Sequence, residues 1–170
     1  MNALKMLKPA DIFSLGNALL GFCALFFIYW DRLSWAVTAI VLAAIFDLID
    51  GTFARRTGTA NDFGRELDSL ADIVSFGVAP AFLGFALLKA RMLLVVSPVI
   101  FLLCGIIRVG KFNVTSREDF YEGMPITLNA VIFPALYFLN CPDLCMSLAF
   151  LISAVLMVSS LKFRKPRILR

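Results

Sequence analysis

Four aspartates stand out in the stretch DLIDGTFARRTGTANDFGRELDSLAD: Asp47, Asp50, Asp68 and Asp72. Asp47 and Asp50 are three apart and Asp68 and Asp72 four apart, so each pair shares a face if its segment is helical. The stretch is entered from WAVTAIVLAAIF and left through IVSFGVAPAFLGFALL, both strongly apolar. A carboxylate on a membrane helix costs roughly 2.5–3.5 kcal/mol on insertion scales, before any mutual repulsion. Protons or cations must therefore neutralise the group. Hard oxygen donors from two facing helices suit one or two divalent ions such as Mg²⁺ or Mn²⁺. Two such ions can clamp a phosphate and its leaving group during an in-line displacement. The structural alternative is a salt-bridge network with Arg55, Arg56 and Arg65, but those arginines fall at the helix ends and the acids further in. The chain has no histidine, so acid–base chemistry near neutral pH falls to carboxylates or to a perturbed Lys, Cys or Tyr.

The elements that must position these acids are membrane helices. The chain is 61% hydrophobic with a mean hydropathy of +0.88, above the apolar share of a soluble domain, and the excess comes as long runs. The reading is an all-α integral membrane protein with six transmembrane helices at about 11–30, 33–55, 64–89, 92–108, 125–140 and 144–161. The expectation is a single membrane domain over residues 1–170, with no soluble domain attached. The first run is too long, and too weakly flanked by small residues, for a cleaved signal peptide. Pro80, Pro98 and Pro134 fall inside spans and should kink them. The short connection between spans two and three makes them antiparallel neighbours. At 1.5 Å per residue, Asp50 and Asp68 each lie about 6–8 Å into their spans and Asp47 and Asp72 about 12 Å. The pairs thus meet at matching levels near one membrane edge.

With the N-terminus inside, thirteen of the sixteen Lys and Arg fall on the inner segments and only Arg32, Lys89 and Arg91 outside. Both termini are then cytoplasmic, as is the acid cluster. The basic tail KFRKPRILR reads as an anchor against anionic lipid. Cys23 and Cys104 read as small core residues. Cys141 and Cys145, in CPDLC, are either unpaired or joined as a disulfide if their loop faces an oxidising space.

The full spacing is Asp47-x2-Asp50-Gly51-x2-Ala54-Arg55-x8-Gly64-x3-Asp68-x3-Asp72. It resembles the signature of the CDP-alcohol phosphotransferases, a family of six-helix membrane enzymes. The resemblance implies that Asp47, Asp50, Asp68 and Asp72 hold two divalent ions on the CDP pyrophosphate. It implies that Asp72 is also the general base for the acceptor hydroxyl. Gly51 and Ala54 would leave room for the nucleotide, Arg55 would contact its phosphates, and Asn61 and Gly64 would lie beside it. Asn17, in SLGN, is similar to a polar site that the family places near the nucleotide. DSLADIVSFGVAPA, RVGKFN and GMPI are similar to the phosphatidylserine synthase branch. That implies transfer of the phosphatidyl group of CDP-diacylglycerol, or of an archaeal ether-lipid equivalent, to the hydroxyl of L-serine, with release of CMP. Ser75, Arg108 and Lys111 are the implied acceptor contacts. Where the branch has a second Arg this chain has Lys111, which keeps the charge but not a planar fork.

The resemblance further implies a homodimer, in a plasma membrane, with its active site facing the cytoplasm and no nucleic-acid partner. The same fold acting on glycerol phosphate or inositol phosphate is the nearer alternative. A cation transporter is the alternative of another class. It would carry acids near the midplane and broken helices in paired repeats, whereas these acids crowd one rim and no repeat is visible.

Overall fold

The computed structural model describes residues 7–9, 11–57, 61–88, 92–115, 120–160 and 162–164. Helix α1 (Asp11–Tyr29) is apolar apart from Asp11, Ser14 and Asn17 in its first two turns. There Asp11 complements the helix dipole and accepts the Lys8 backbone N–H at 2.8 Å. A tight turn follows, with Asp31 at a φ of 57° and the Arg32 N–H folded back on the Phe27 carbonyl at 2.8 Å. That satisfies a carbonyl the helix end would leave open and sends α2 (Leu33–Thr57) back along α1.

Helix α3 (Asp62–Asp72) begins at Asn61, whose side-chain oxygen accepts the Gly64 N–H at 2.6 Å, an N-cap. It runs without a break into a wide π-helical turn (Ile73–Val78) and then α4 (Ala79–Leu88). Pro80 accounts for the wide turn. Its ring would collide with the carbonyl four residues back in a regular helix, so the turn before it opens. Helix α5 (Met92–Thr115) contains Pro98, which cannot donate to the Leu94 carbonyl. The Ser97 hydroxyl donates to that carbonyl instead, at 2.7 Å, and itself accepts from Ser147 at 3.0 Å.

After α5 come strand β1 (Phe120–Glu122), a 3₁₀ turn (Ile126–Leu128), α6 (Asn129–Phe138), α7 (Asp143–Val158) and strand β2 (Lys162–Arg164). The strands pair antiparallel, with Phe120 opposite Arg164 and Glu122 opposite Lys162.

The interior is built on close approach. Along α1 the buried positions Ser14, Asn17, Gly21 and Ala24 form a stripe of small and polar residues, the kind of surface that lets membrane helices meet backbone to backbone. On the other side Phe101, Phe133 and Phe150 bring α5, α6 and α7 together, with ring centroids 5.2, 5.2 and 4.1 Å apart. The large apolar side chains Leu15, Leu19 and Phe22 on α1 and Leu144, Leu148, Ile152 and Val155 on α7 point outward. On a bilayer-spanning protein this is the lipid face.

Among the described residues, four helices are long and apolar enough to cross a membrane: Asp11–Tyr29, Leu33–Thr52, Asp62–Leu88 and Leu94–Val114. Ile126–Phe138 and Asp143–Val158 are apolar but shorter. The helical membrane architecture therefore agrees with the sequence reading. Two features differ. The fourth span does not stop at 108 but continues to Thr115, because Arg108 is buried and Asn113 is held by α3, as described below. The short β1–β2 ribbon is a small addition to an otherwise all-helical architecture.

Candidate active site

The α2 and α3 faces meet as their spacing requires. One carboxylate oxygen from each of Asp47, Asp68 and Asp72 lies within 4.8 Å of the others, and Asp47 and Asp68 act directly on one another. Asp68 Oδ1 is buried with no hydrogen-bond partner. A buried acceptor left open among carboxylates is costly unless a cation completes it, so this donor set fits a hard divalent ion.

Asp50 stands apart from this trio. It is buried and accepts a hydrogen bond from the Ser14 hydroxyl of α1, although its charge still acts on Asp47 and Asp68. Asp11, also buried, acts on Asp50 from the start of α1. The structure thus brings three of the four signature acids together and turns the fourth toward α1.

Helix α1 also holds Asp72. Asn17 Nδ2–H donates to Asp72 Oδ1 at 3.1 Å, while the Asn17 Oδ1 is buried and unpartnered. The Asn17 backbone carbonyl accepts the Ser75 hydroxyl at 2.8 Å. Ser75, fully buried, therefore fastens the wide turn to α1. Gly21 is required opposite it: a Cβ there would overlap the Ser75 backbone.

The expected nucleotide contacts are placed unevenly. Gly51 is half-buried on α2. Gly64 has no room for a side chain, because a Cβ would come within 2.6 Å of Asp11 Oδ1 and 2.8 Å of Asn61 Oδ1. The Asn61 side-chain oxygen is engaged as the α3 cap. The side chains of Ala54 and Arg55 lie outside the described residues. Of the arginines in the salt-bridge alternative, Arg65 pairs with exposed Asp62 at 3.3 Å, away from the trio, where an ion pair contributes little.

Arg108 is 7% exposed. Its Nε donates to the Met124 carbonyl at 3.0 Å, its guanidinium lies 5.0 Å from the centre of the Phe112 ring, and its charge acts on Asp72. Lys111, one turn on, is exposed. Asn113 closes this side: it accepts from Ser69 and donates to Glu66, each at 2.9 Å. Ser14, Asp11 and Asn113 were not singled out by sequence. The visible signal was the run Asp11, Ser14, Asn17 and Gly21, spaced three and four apart on one helix face.

The chain matches the profile described as CDP-alcohol phosphatidyltransferase over residues 7–161. It is 35% identical over 161 residues to the CDP-diacylglycerol–serine O-phosphatidyltransferase of Methanocaldococcus jannaschii, covering 95% of this chain and 76% of the relative. It is 34% identical over 163 residues to the archaetidylserine synthase of Methanothermobacter thermautotrophicus, covering 93% and 69%. With the CDP-diacylglycerol–serine O-phosphatidyltransferase of Bacillus subtilis it shares 33% identity over 153 residues, covering 88% and 86%. The match takes in every element from α1 to α7 and the carboxylates that α2 and α3 bring together, and the chain belongs to the CDP-alcohol phosphatidyltransferase family.

Proposed function

We propose that this chain is a phosphatidylserine-type synthase: it transfers the phosphatidyl group of CDP-diacylglycerol, or its archaeal ether-lipid equivalent, to the hydroxyl of L-serine and releases CMP. The observation that carries the reading is the Asp47–Asp68–Asp72 trio, with its orphaned buried oxygen, in a chain whose similar relatives bear serine-transferase names. Divalent-metal dependence is general in the family. Two Mg²⁺ or Mn²⁺ ions held by Asp47, Asp68 and Asp72, with Asp50 beside them, would supply positive charge to the CDP pyrophosphate.

The chain's own residues do the rest. Asp72 accepts the serine hydroxyl proton on Oδ2, while Asn17 holds its Oδ1 and fixes the carboxylate plane. The serine oxygen bonds to the lipid-bearing phosphorus as the phosphorus–oxygen bond to CMP breaks. Arg108, buried beside Asp72, receives the serine carboxylate, and Lys111 adds positive charge at the rim. Gly51, Ala54 and Arg55 line the nucleotide side. Asn61, Gly64 and Ser75 hold the frame from behind: the first two set the start of α3, and Ser75 joins the wide turn to α1.

The protein works as one membrane domain of six spans with both termini cytoplasmic. The two shorter helices serve as spans five and six, and the acid rim faces the cytoplasm, supported by the bias of basic residues. A homodimer in the plasma membrane completes the reading. The test is to supply the purified protein with CDP-lipid, Mn²⁺ and a panel of acceptors, and to measure CMP release. Serine should dominate. Preference for glycerol phosphate or inositol phosphate would move the protein to another branch of the family, and no CMP with any acceptor would overturn the reading.

A further inference from the structure

The turn between α6 and α7 carries reactive groups that the transfer reaction does not use. It reads CPDLC, with Cys141 half-buried, Cys145 exposed, and both sulfurs free. The turn lies at the end of the bundle opposite the acids. Met124, which holds Arg108, donates its N–H to Leu156 near the end of α7 at 3.0 Å, so the start of α7 is at the far end. Tyr137, near the end of α6, is hydrogen-bonded at 3.0 Å to Ser34 in the first turn of α2, whereas Asp47 and Asp50 lie in its last turns. Leu87 and Leu88, the end of α4, line the same cavity as Cys141.

Local geometry brings the two sulfurs together. Asn140 adopts a φ of 50° and the Cys141 N–H folds back on the Leu136 carbonyl at 3.2 Å, which reverses the chain. Pro142 then caps α7, placing Cys145 in its first turn. The two thiols are close enough to act on one another. Cys145 is exposed, which gives reagents access to its sulfur. Cys141 borders a cavity of about 180 Å³ together with Leu136, Tyr137 and Met146, so its sulfur has room to turn toward its neighbour.

We propose that Cys141 and Cys145 are a dithiol–disulfide pair on the membrane face opposite the catalytic site, closed by exchange with a small-molecule disulfide. The Cys145 thiolate attacks one sulfur of that disulfide, whose S–S bond breaks and releases a first thiolate. Cys141, having given its proton to solvent, attacks the Cys145 sulfur, breaks the mixed disulfide and releases the second thiolate. Two protein thiols are oxidised, the small disulfide is reduced to two thiols, and these take up the two protons. Closure staples the start of α7 to the end of α6. That this face is the outer, oxidising one rests on the orientation proposed above, so that point has its own arm in the test.

The whole protein in membranes is equilibrated with reduced and oxidised glutathione at a series of ratios, quenched with acid, alkylated and mapped by mass spectrometry. Cys141 and Cys145 should lose alkylation together and appear as one internally linked peptide that has lost two hydrogens, at ratios where Cys23 and Cys104 remain alkylated. Cys141→Ser should leave Cys145 as a lasting glutathione adduct. Separate alkylation of both residues at every ratio, or glutathione adducts on both in the wild type without the linked peptide, would overturn the pair. In the second arm, a membrane-impermeant maleimide is applied after reduction to intact cells and to inverted vesicles. Labelling of Cys145 in intact cells supports the outward placement; labelling in inverted vesicles alone overturns that placement and, with it, the proposed cytoplasmic orientation, whatever the exchange result.

Discussion

At the scale of single residues, the chemistry turns on how Asp72 is held. If Asp72 takes the acceptor proton, Asp72→Asn should still bind CDP-lipid while losing turnover by roughly 10²–10⁴, the usual worth of a positioned base. Near-normal turnover in that variant would remove the assignment. Asn17 makes a sharper test, because it donates to the Asp72 carboxylate from another helix. Its loss removes a hydrogen bond to a charged group, worth about 1.5–3 kcal/mol, or roughly ten- to a hundredfold in rate. Asn17→Ala should therefore lower kcat with a smaller change in the KM for CDP-lipid, and Asn17→Asp, which lacks the N–H donors, should not restore it. The opposite split, with KM raised and kcat kept, would make Asn17 a nucleotide contact instead.

At the scale of elements, the bundle depends on places where no side chain fits. A Cβ on Gly84 would come within 2.6 Å of the Phe150 ring and 2.8 Å of Pro98, pressing α4 onto α7 and the bend of α5 together. Gly84→Ala should cost about 1–3 kcal/mol of stability, the usual penalty for overpacking, read as a lower midpoint of thermal unfolding in detergent. The acid site is remote, so the kcat of the folded fraction should hold. This scale also separates what was legible in the sequence from what was not. The meeting of Asp47, Asp68 and Asp72 follows from helical spacing and a short connection, both visible in the residues. The turning of Asp50 to Ser14 depends on how α1 is rotated against α2, and no periodicity in α2 records that. The bond from Ser75 to α1 is not legible in the sequence, because it depends on the wide turn before Pro80 and on the α1 carbonyl beside it. The end of α5 was set too early because Arg108 and Lys111 resemble a polar boundary. Arg108 is in fact buried, its charge met by the Met124 carbonyl, the Phe112 ring and Asp72. Strands of three residues leave too short a pattern to register.

At the scale of the whole molecule, the acid trio couples the fold to its ions. Three carboxylates crowded between two helices repel one another until a cation joins them, so a bound ion should stabilise the folded protein as well as activate it. At a hundred times its Kd, the ion should add about 2.7 kcal/mol. EDTA should abolish CMP release and lower the midpoint of thermal unfolding, and Mg²⁺ or Mn²⁺ should restore both. Full activity in excess chelator would exclude the metal site.

The β1–β2 ribbon joins regions far apart in the chain. Residues 162–164 pair with 120–122, Gly123 at a φ of 73° packs against the Met157 and Ser159 carbonyls, and Met124 beside it carries the carbonyl that Arg108 donates to. Residues 162–164 therefore tether the segment whose carbonyl Arg108 donates to. Anyone shortening the protein or adding a purification tag at its C-terminus is altering that tether. Ending the chain at Leu161, before β2, should raise the KM for serine, the direction expected of Arg108→Ala if Arg108 holds the serine carboxylate, while the KM for CDP-lipid stays nearly unchanged. Unchanged serine kinetics in the shortened protein would show that Arg108 keeps its place without the ribbon.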